Sequence, residues 1–563
     1  MHHHLSLRSK IIVMISVMAS MFLVALDQTI IATALGRIVE EFNAFDSLSW
    51  IVTAYLLTTT ITVPIAGKLS DLFGRRVILL IGVAIFGIGS LISGMSGDVT
   101  QLIVARAFQG IGGGIITANA FTIIGDLFEA RERGKWQGMI GAVFGLSSIV
   151  GPLLGGWLTD GQNILGLTTD WRWTFWINVP VAILAFAVIA IFCPALKHDR
   201  KPVVDYAGAT LLTIALGTLV LAVDNTEQIF KGFLDASGWD LVSLRAVMGT
   251  IVVVATVGFI LIERKAKEPI IPLSFFRNRN FVLIMGVATL FGAAFLGAIL
   301  YLTQFNQQVF GASPTESGLM LLPMIGGLML TSITSGQIIS RTGRYKIFMQ
   351  VGIVLATVMV ALLATLSPSS SFAYEAVVMF FLGMGLGVVM PTMNLAVQNE
   401  FDQHELGAAT SSNQLFRSLG STIGIAIFGA MLTAGLTSNL TNIQSDAYIK
   451  SLSQNGQVTS KFGNMTDPST LLNLNAPDVK HKISDAFTQS VAQLPAAAKE
   501  KATAQFEQTQ SGFADKITSA FSKSLSRIFI VSASLMFLAA ILIFSIKEKP
   551  LRAASPNASP GIE

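Results

Sequence analysis

Fourteen runs of about 20 mostly apolar residues succeed one another along this chain. They begin near Ile11, Ser49, Val77, Leu102, Lys135, Phe175, Tyr206, Leu244, Phe281, Ser317, Ile347, Phe372, Gly407 and Arg527. Hydrocarbon is ~30 Å thick and offers no partner to a peptide group, so runs of this length are read as membrane-spanning α-helices. Composition agrees: 12% of residues are charged and 52% apolar, against roughly 25% charged in soluble domains. The first run is too long for a cleaved signal and lacks a small-residue cleavage site, so it is expected to stay in the membrane. The lone Cys193 excludes an intrachain disulfide. A net charge of +4 is too small to imply a nucleic-acid partner.

Lys and Arg collect in alternate connections: Arg8 and Lys10; Arg75 and Arg76; Arg131, Arg133 and Lys135; Lys197, Arg200 and Lys201; Arg264, Lys265, Lys267, Arg277 and Arg279; Arg341, Arg344 and Lys346. The opposite short loops hold almost none. The positive-inside rule then puts both termini in the cytoplasm, as an even helix count requires, with Lys547, Lys549 and Arg552 agreeing at the far end.

The chain also repeats itself. Phe108-Gln-Gly110-Ile-Gly112-Gly-Gly114 recurs 273 residues later as Phe381-Leu-Gly383-Met-Gly385-Leu-Gly387. Gly67-Lys-Leu-Ser-Asp71-Leu-Phe-Gly74-Arg75 recurs at an offset of 269 as Gly336-Gln-Ile-Ile-Ser340-Arg-Thr-Gly343-Arg344. An offset near 270 exceeds six helices, so two extra helices separate the halves. The expected plan is an N-terminal six-helix bundle (1–200), two inserted helices (201–268), five helices of a second bundle (269–436), an extracytoplasmic loop (437–526), and a last helix with its tail (527–563). Both copies of the second motif face one side, so the repeat is parallel.

Each motif has a physical reading. In the short turn between helices two and three, Gly74 suits a left-handed backbone and Gly67 admits a close neighbour. Asp71 is placed to accept from free amides at a helix start, and Arg75 and Arg76 to bind headgroups or a carboxylate of the other half. A purely topological role for the loop is the plain alternative. In helix five, Gly151, Pro152, Gly155 and Gly156 thin one side for close packing, and Pro152 weakens the hydrogen-bond ladder where bending is useful.

These segments resemble the major facilitator superfamily. The loop at 67–76 resembles its cytoplasmic loop motif, Arg106-Ala-Phe-Gln109-Gly110 its intramembrane arginine motif, and Gly151-Pro152-Leu-Leu-Gly155-Gly156 the motif of its antiporters. Trp171-Arg-Trp-Thr-Phe-Trp-Ile-Asn178-Val-Pro180 is similar to the approach to helix six in drug exporters. With Leu26-Asp27-Gln-Thr29 in helix one and fourteen spans, the chain looks like the fourteen-helix drug:proton antiporters of the EmrB/QacA type. The resemblance implies the all-α major facilitator fold, transport rather than enzymatic activity, and gating at 67–76 and 151–156.

Ionisable groups inside a membrane cost on the order of 3 kcal/mol on insertion scales and point to function by default. Asp27 is read as a protonation site tuned by Arg106, with Gln109 one turn away. The alternative is a permanent Asp27–Arg106 ion pair that only orders helices one and four. Arg417 falls ~16 Å into helix thirteen and needs Asp27, an acid near a helix end, or a substrate as partner. Gln304, Asn306, Asn394, Gln398, Asn413 and Gln414 are read as polar groups that orient a mostly apolar substrate in a central cavity. Some members of the resembled family have an acid in helix ten that helps recognise cations. None lies between Gly318 and Ser340, which disfavours divalent cationic drugs and favours a lipophilic or monocationic cargo.

In the long loop, Ile483, Phe487, Val491 and Leu494 follow helical spacing, as do Phe506, Phe513, Ile517, Phe521 and Leu525, the second set running into the last helix. Ser451 to Leu474 reads as a flexible connector. The loop is either a self-packed insertion, the favoured reading, or an outer cap that shields cargo. No metal-ligand cluster or Walker sequence is present, so the expected driver is the proton gradient, without cofactor. The expected activity is proton-coupled export of lipophilic or cationic drugs by a monomer in a bacterial-type cytoplasmic membrane. Export of a lipid or glycolipid, or a non-transporting receptor, are the rivals.

Overall fold

A computed structural model describes residues 6–42, 48–159, 161–164, 166–193, 203–223, 226–312, 314–440, 443–453, 468–475, 477–493 and 495–551. The expected basic residues Lys197, Arg200, Lys201 and Arg552, with Leu494 and segment 454–467 of the expected connector, lie outside the described residues.

Fourteen helices among the described residues have the length and apolarity to cross a membrane. The first bundle comprises α1 (Leu7–Phe42), α2 (Leu48–Phe73), α3 (Arg75–Gly94), α4 (Val99–Leu127), α5 (Ala130–Thr159) and α6 (Asn178–Phe192). The inserted pair is α7 (Tyr206–Val223) and α8 (Leu241–Glu263). The second bundle comprises α9 (Arg279–Val309), α10 (Leu322–Thr342), α11 (Lys346–Leu363), α12 (Phe372–Gln398), α13 (Leu406–Asn439) and α14 (Ala496–Ser545). Most helices begin one to a few residues before the apolar runs. Helix direction alternates, so the start of α1, the α2–α3 turn and the starts of α5, α11 and α13 share one side, the N-terminal side.

The duplicated glycines explain the packing of both bundles. A Cβ added at Gly110 or Gly114 would run into Tyr55, Thr58, Thr59 and Thr62 of α2, and one at Gly112 into the backbone of α3 near Gly82 and Phe86. In the second half, Gly383 and Gly387 press against Met324 and Leu328 of α10, and Gly385 against Gly352 and Ala356 of α11. Alternate glycines of α4 and α12 thus meet equivalent neighbours, as a parallel repeat requires. The inserted pair packs on itself and on the α2–α13 seam, where Leu212, Leu216, Phe259 and Leu415 form one cluster with Ile61 and Ile65.

The α13–α14 loop folds more than the connector reading allowed. Ala447–Ser453 and Pro468–Asn475 are helices, and Tyr448, Leu471 and Leu474 are buried with Phe506, Phe513 and Ile517. The apolar residues scattered in a Ser/Asn-rich stretch are what close this small core. It docks on the end of α9, where Asn475 Nδ2 donates to Gln308 Oε1 at 2.9 Å. Pro477–Ser490 forms the first expected amphipathic helix, and the second is continuous with the last span in the 50-residue α14.

Candidate transport site

Helix α1 carries Asp27 to the centre of the first bundle, and α4, entering from the opposite side, brings Arg106 beside it. Arg106 Nη1 lies 2.6 Å from Asp27 Oδ2. Gln109 Nε2 donates to Asp27 Oδ1 at 2.8 Å, and Asn178 Nδ2 at the start of α6 donates to the same oxygen at 3.3 Å. Arg106 also donates to Gln109 Oε1 at 2.8 Å and to the Ile51 carbonyl at 3.4 Å, and its guanidinium lies 4.3 Å from the Tyr55 ring centre. All four polar side chains are buried. In so dry a setting both Asp27 oxygens need their donors, since an unpaired buried charge costs several kcal/mol. The contacts to Ile51 and Tyr55 tie the site to α2.

The other end of α2, ~30 Å away by helical rise, holds the two halves together. Gly67 lies against Ser411 and the Gly407 carbonyl of α13. Asp71 accepts from the backbone amides of Gly407 at 3.2 Å and Ala408 at 3.0 Å. These amides belong to the first turn of α13, which has free donors and a positive dipole end. Arg75 is buried and pairs with Asp71 and, at 2.7 Å, with Asp126 of α4. Arg76 donates to the Ala190 carbonyl of α6. Arg75 is therefore held within its own half and not by the other half, because Asp126 lies nearer, while the partly exposed Arg76 reaches the end of α6. Gly74 has φ 94°, the positive value anticipated for it.

The repeat partner of this clamp is made without charge. Gly336 of α10 packs on the Gly134 backbone of α5, and Ser332 Oγ donates to the Gly138 carbonyl at 2.8 Å. Ser340, standing where Asp71 stands in the first copy, donates among the described residues only to the Gln337 carbonyl of its own helix. Between the clamps, Gln137 Nε2 donates to Gln398 Oε1 at 2.9 Å, and Gln398 Nε2 to the Phe121 carbonyl at 2.9 Å.

The sequence profile of the Major Facilitator Superfamily matches residues 17–425. The chain belongs to that superfamily. It is 37% identical over 480 residues to the multidrug transporter protein MdtP of Bacillus subtilis, covering 84% of this chain and 85% of that protein. Identity to multidrug resistance protein 3 of the same organism is 34% over 487 residues, with 85% and 90% covered. Among solved structures, the human organic anion transporter MFSD10 aligns at TM-score 0.56 and 14% identity over 94% of this chain and 99% of its own. The XylE proton:xylose symporter aligns at 0.54 and 14% over 76% and 90%. Both share the fold.

The glycine and proline motif at 151–156 of α5 divides by face. Gly151 meets Thr29 and Ile30 of α1, and Thr29 Oγ1 donates to the Ser147 carbonyl at 3.0 Å. Gly155 is buried, and Pro152 approaches the short helix Pro314–Leu319 near Gly318. Gly156 has nothing within 4 Å of an added Cβ, so it serves no close packing.

In the second bundle the expected cavity residues part company. Asn413 Nδ2 donates to Asn394 Oδ1 at 2.7 Å. Gln398 is taken by the contact between the halves and does not line a cavity. Asn306 is buried on α9 beside the buried Glu375 in the first turn of α12, so the two polar side chains face each other. Gln304 is partly exposed on α9, and Gln414 is buried with its Nε2 unpartnered. Arg417 is partly exposed, and its guanidinium has no ion pair or hydrogen bond among the described residues. Sequence reading missed Asp126 and Glu375. Both sit near helix ends, where an acid looks like an ordinary loop charge until its burial is known.

Proposed function

We propose that this protein is a proton-coupled exporter of lipophilic drug-like molecules that works by alternating access across a cytoplasmic membrane. The basic loops make the N-terminal side cytoplasmic by the positive-inside rule. The clamps at Gly67–Asp71 and Gly134–Gly336 then describe a conformation held shut toward the cytoplasm. Drug export draws support from the relatives, the multidrug transporter protein MdtP and multidrug resistance protein 3.

The observation that carries proton coupling is Asp27, a buried core acid whose partners can outlast its charge. A proton on Oδ2 removes the negative partner of Arg106, while Gln109 Oε1, the Ile51 carbonyl and the Tyr55 ring remain for the guanidinium. The resulting shift of Arg106 acts on α2 through Ile51 and Tyr55, and the same helix carries Asp71 to the clamp. Proton occupancy at Asp27 thereby biases the contact between the halves, which is the requirement for coupling. The lipid-export reading gains nothing from the α13–α14 loop, which packs on itself and on the end of α9.

The test compares native protein with Asp27→Asn in proteoliposomes under an imposed proton gradient. The substitution keeps hydrogen-bonding capacity and removes titration. Gradient-driven efflux falls to the no-gradient level while the melting temperature stays within a few degrees. Full gradient dependence in the variant would reject Asp27 as the coupling site, and the receptor reading requires no efflux from either protein.

A further inference from the structure

On α13, Thr410, Asn413, Gln414 and Arg417 are spaced by three and four residues, so they form one stripe along the helix. Its lower end lies in the closed contact between the halves, where Thr410 receives a hydrogen bond from Gln398, itself bonded to α4 and α5. One and two turns further from the cytoplasm come Asn413, whose Oδ1 is unpartnered, Gln414, whose Nε2 is unpartnered, and then Arg417. Asn413 and Gln414 are 2% and 3% exposed. The stripe thus continues the face between the halves outward, beyond the point where they are closed.

Arg417 stands eleven residues into α13, ~16 Å from its start. With hydrocarbon ~30 Å thick, that is near the middle of the membrane, too deep for its side chain to reach a lipid headgroup. The buried acids of the other half are already held, Asp27 by Arg106, Gln109 and Asn178, and Asp71 and Asp126 by Arg75. Glu375, the one acid of α12, is fully buried at the far end of that helix. The stripe therefore presents one cation flanked by the unpartnered Asn413 Oδ1 and Gln414 Nε2.

We propose that this stripe is a substrate site selective for amphiphiles carrying an acidic group, a carboxylate, sulfonate or phosphate, which Arg417 binds while Asn413 and Gln414 supply an acceptor and a donor beside it. This rests on the export reading and narrows its cargo away from cations. A guanidinium gains most from a planar or tetrahedral oxyanion, to which it donates two parallel hydrogen bonds.

The test uses 8-anilino-1-naphthalenesulfonate and its uncharged parent N-phenyl-1-naphthylamine, two fluorophores that differ by one sulfonate. Purified native protein binds the sulfonate at least tenfold tighter than the parent. Arg417→Gln abolishes that preference by weakening the sulfonate alone, with the parent within twofold of native, and Arg417→Lys retains part of it. Equal weakening of both probes would make Arg417 structural and overturn the proposal, as would an unchanged sulfonate affinity. If the native preference is found but reconstituted vesicles export neither probe, the site stands and the export reading fails.

Discussion

Removing the charge at Asp71 tests how the two halves are held. Its carboxylate accepts from two amides of the first turn of α13 at 3.2 and 3.0 Å. A hydrogen bond to a charged group contributes about 1.5–3 kcal/mol, and a negative charge at a helix start adds up to ~2 kcal/mol when partly buried. Asp71→Asn keeps one oxygen acceptor and forfeits the charge, so the closed state loses about 2 kcal/mol. At 1.36 kcal/mol per factor of ten, the equilibrium shifts about 30-fold toward separation on this side. Hydrogen exchange reads the change directly. The amides of residues 406–411 exchange roughly 30-fold faster in Asp71→Asn, while those at the start of α11 are unchanged. Ser340→Ala, at the uncharged copy, leaves both regions unaltered. Unchanged protection at 406–411 would refute the clamp.

Three further outcomes follow from packing and charge. Gly112→Ala and Gly385→Ala each destabilise by about 1–3 kcal/mol, because the new methyl meets backbone in both cases; Gly156→Ala, facing open space, leaves the melting temperature unchanged. Burial opposes ionisation of Glu400, but Asn278, Asn280 and Lys549 outweigh it and hold its carboxyl below the usual range. A depressed carboxyl stabilises above its unfolded value, about 4.3, and loses that contribution as pH falls through the lower folded value. Limited proteolysis near 547–551 therefore increases on acidification below about pH 4, and Glu400→Gln gives the same cleavage at neutral pH.

The membrane spans and the duplication were legible because they depend on run length and on glycines at fixed spacing, both local properties. The contact among Asp27, Arg106 and Gln109 was also legible, since a charge in an apolar helix stands out and helical rise sets its depth. Asp71 reached the kind of partner expected of it, free amides at a helix start, but the identity of α13 as their owner depends on how the halves meet. The arginine partners depend on the same thing. Asp126 is 51 residues from Arg75, and only folding shows it closer than any group of the other half. Asn306 and Gln398 illustrate a different limit: a polar residue on a spanning helix has a side, and composition does not say whether that side meets a cavity, another helix or the opposite half. The α13–α14 loop was underestimated for a related reason, because Leu471 and Leu474 find their core only against Phe513 and Ile517 far along the chain.

Direct proton counting tests the central claim most sharply. Proteoliposomes with a pH-sensitive dye inside receive a transported compound outside, with no imposed gradient and the membrane potential clamped. For protein whose cytoplasmic side faces outward, exchange of compound for protons makes the lumen alkaline as the compound enters, and Asp27→Asn abolishes the signal while still binding the compound. Compound uptake by the native protein without any change in lumenal pH would contradict proton coupling outright.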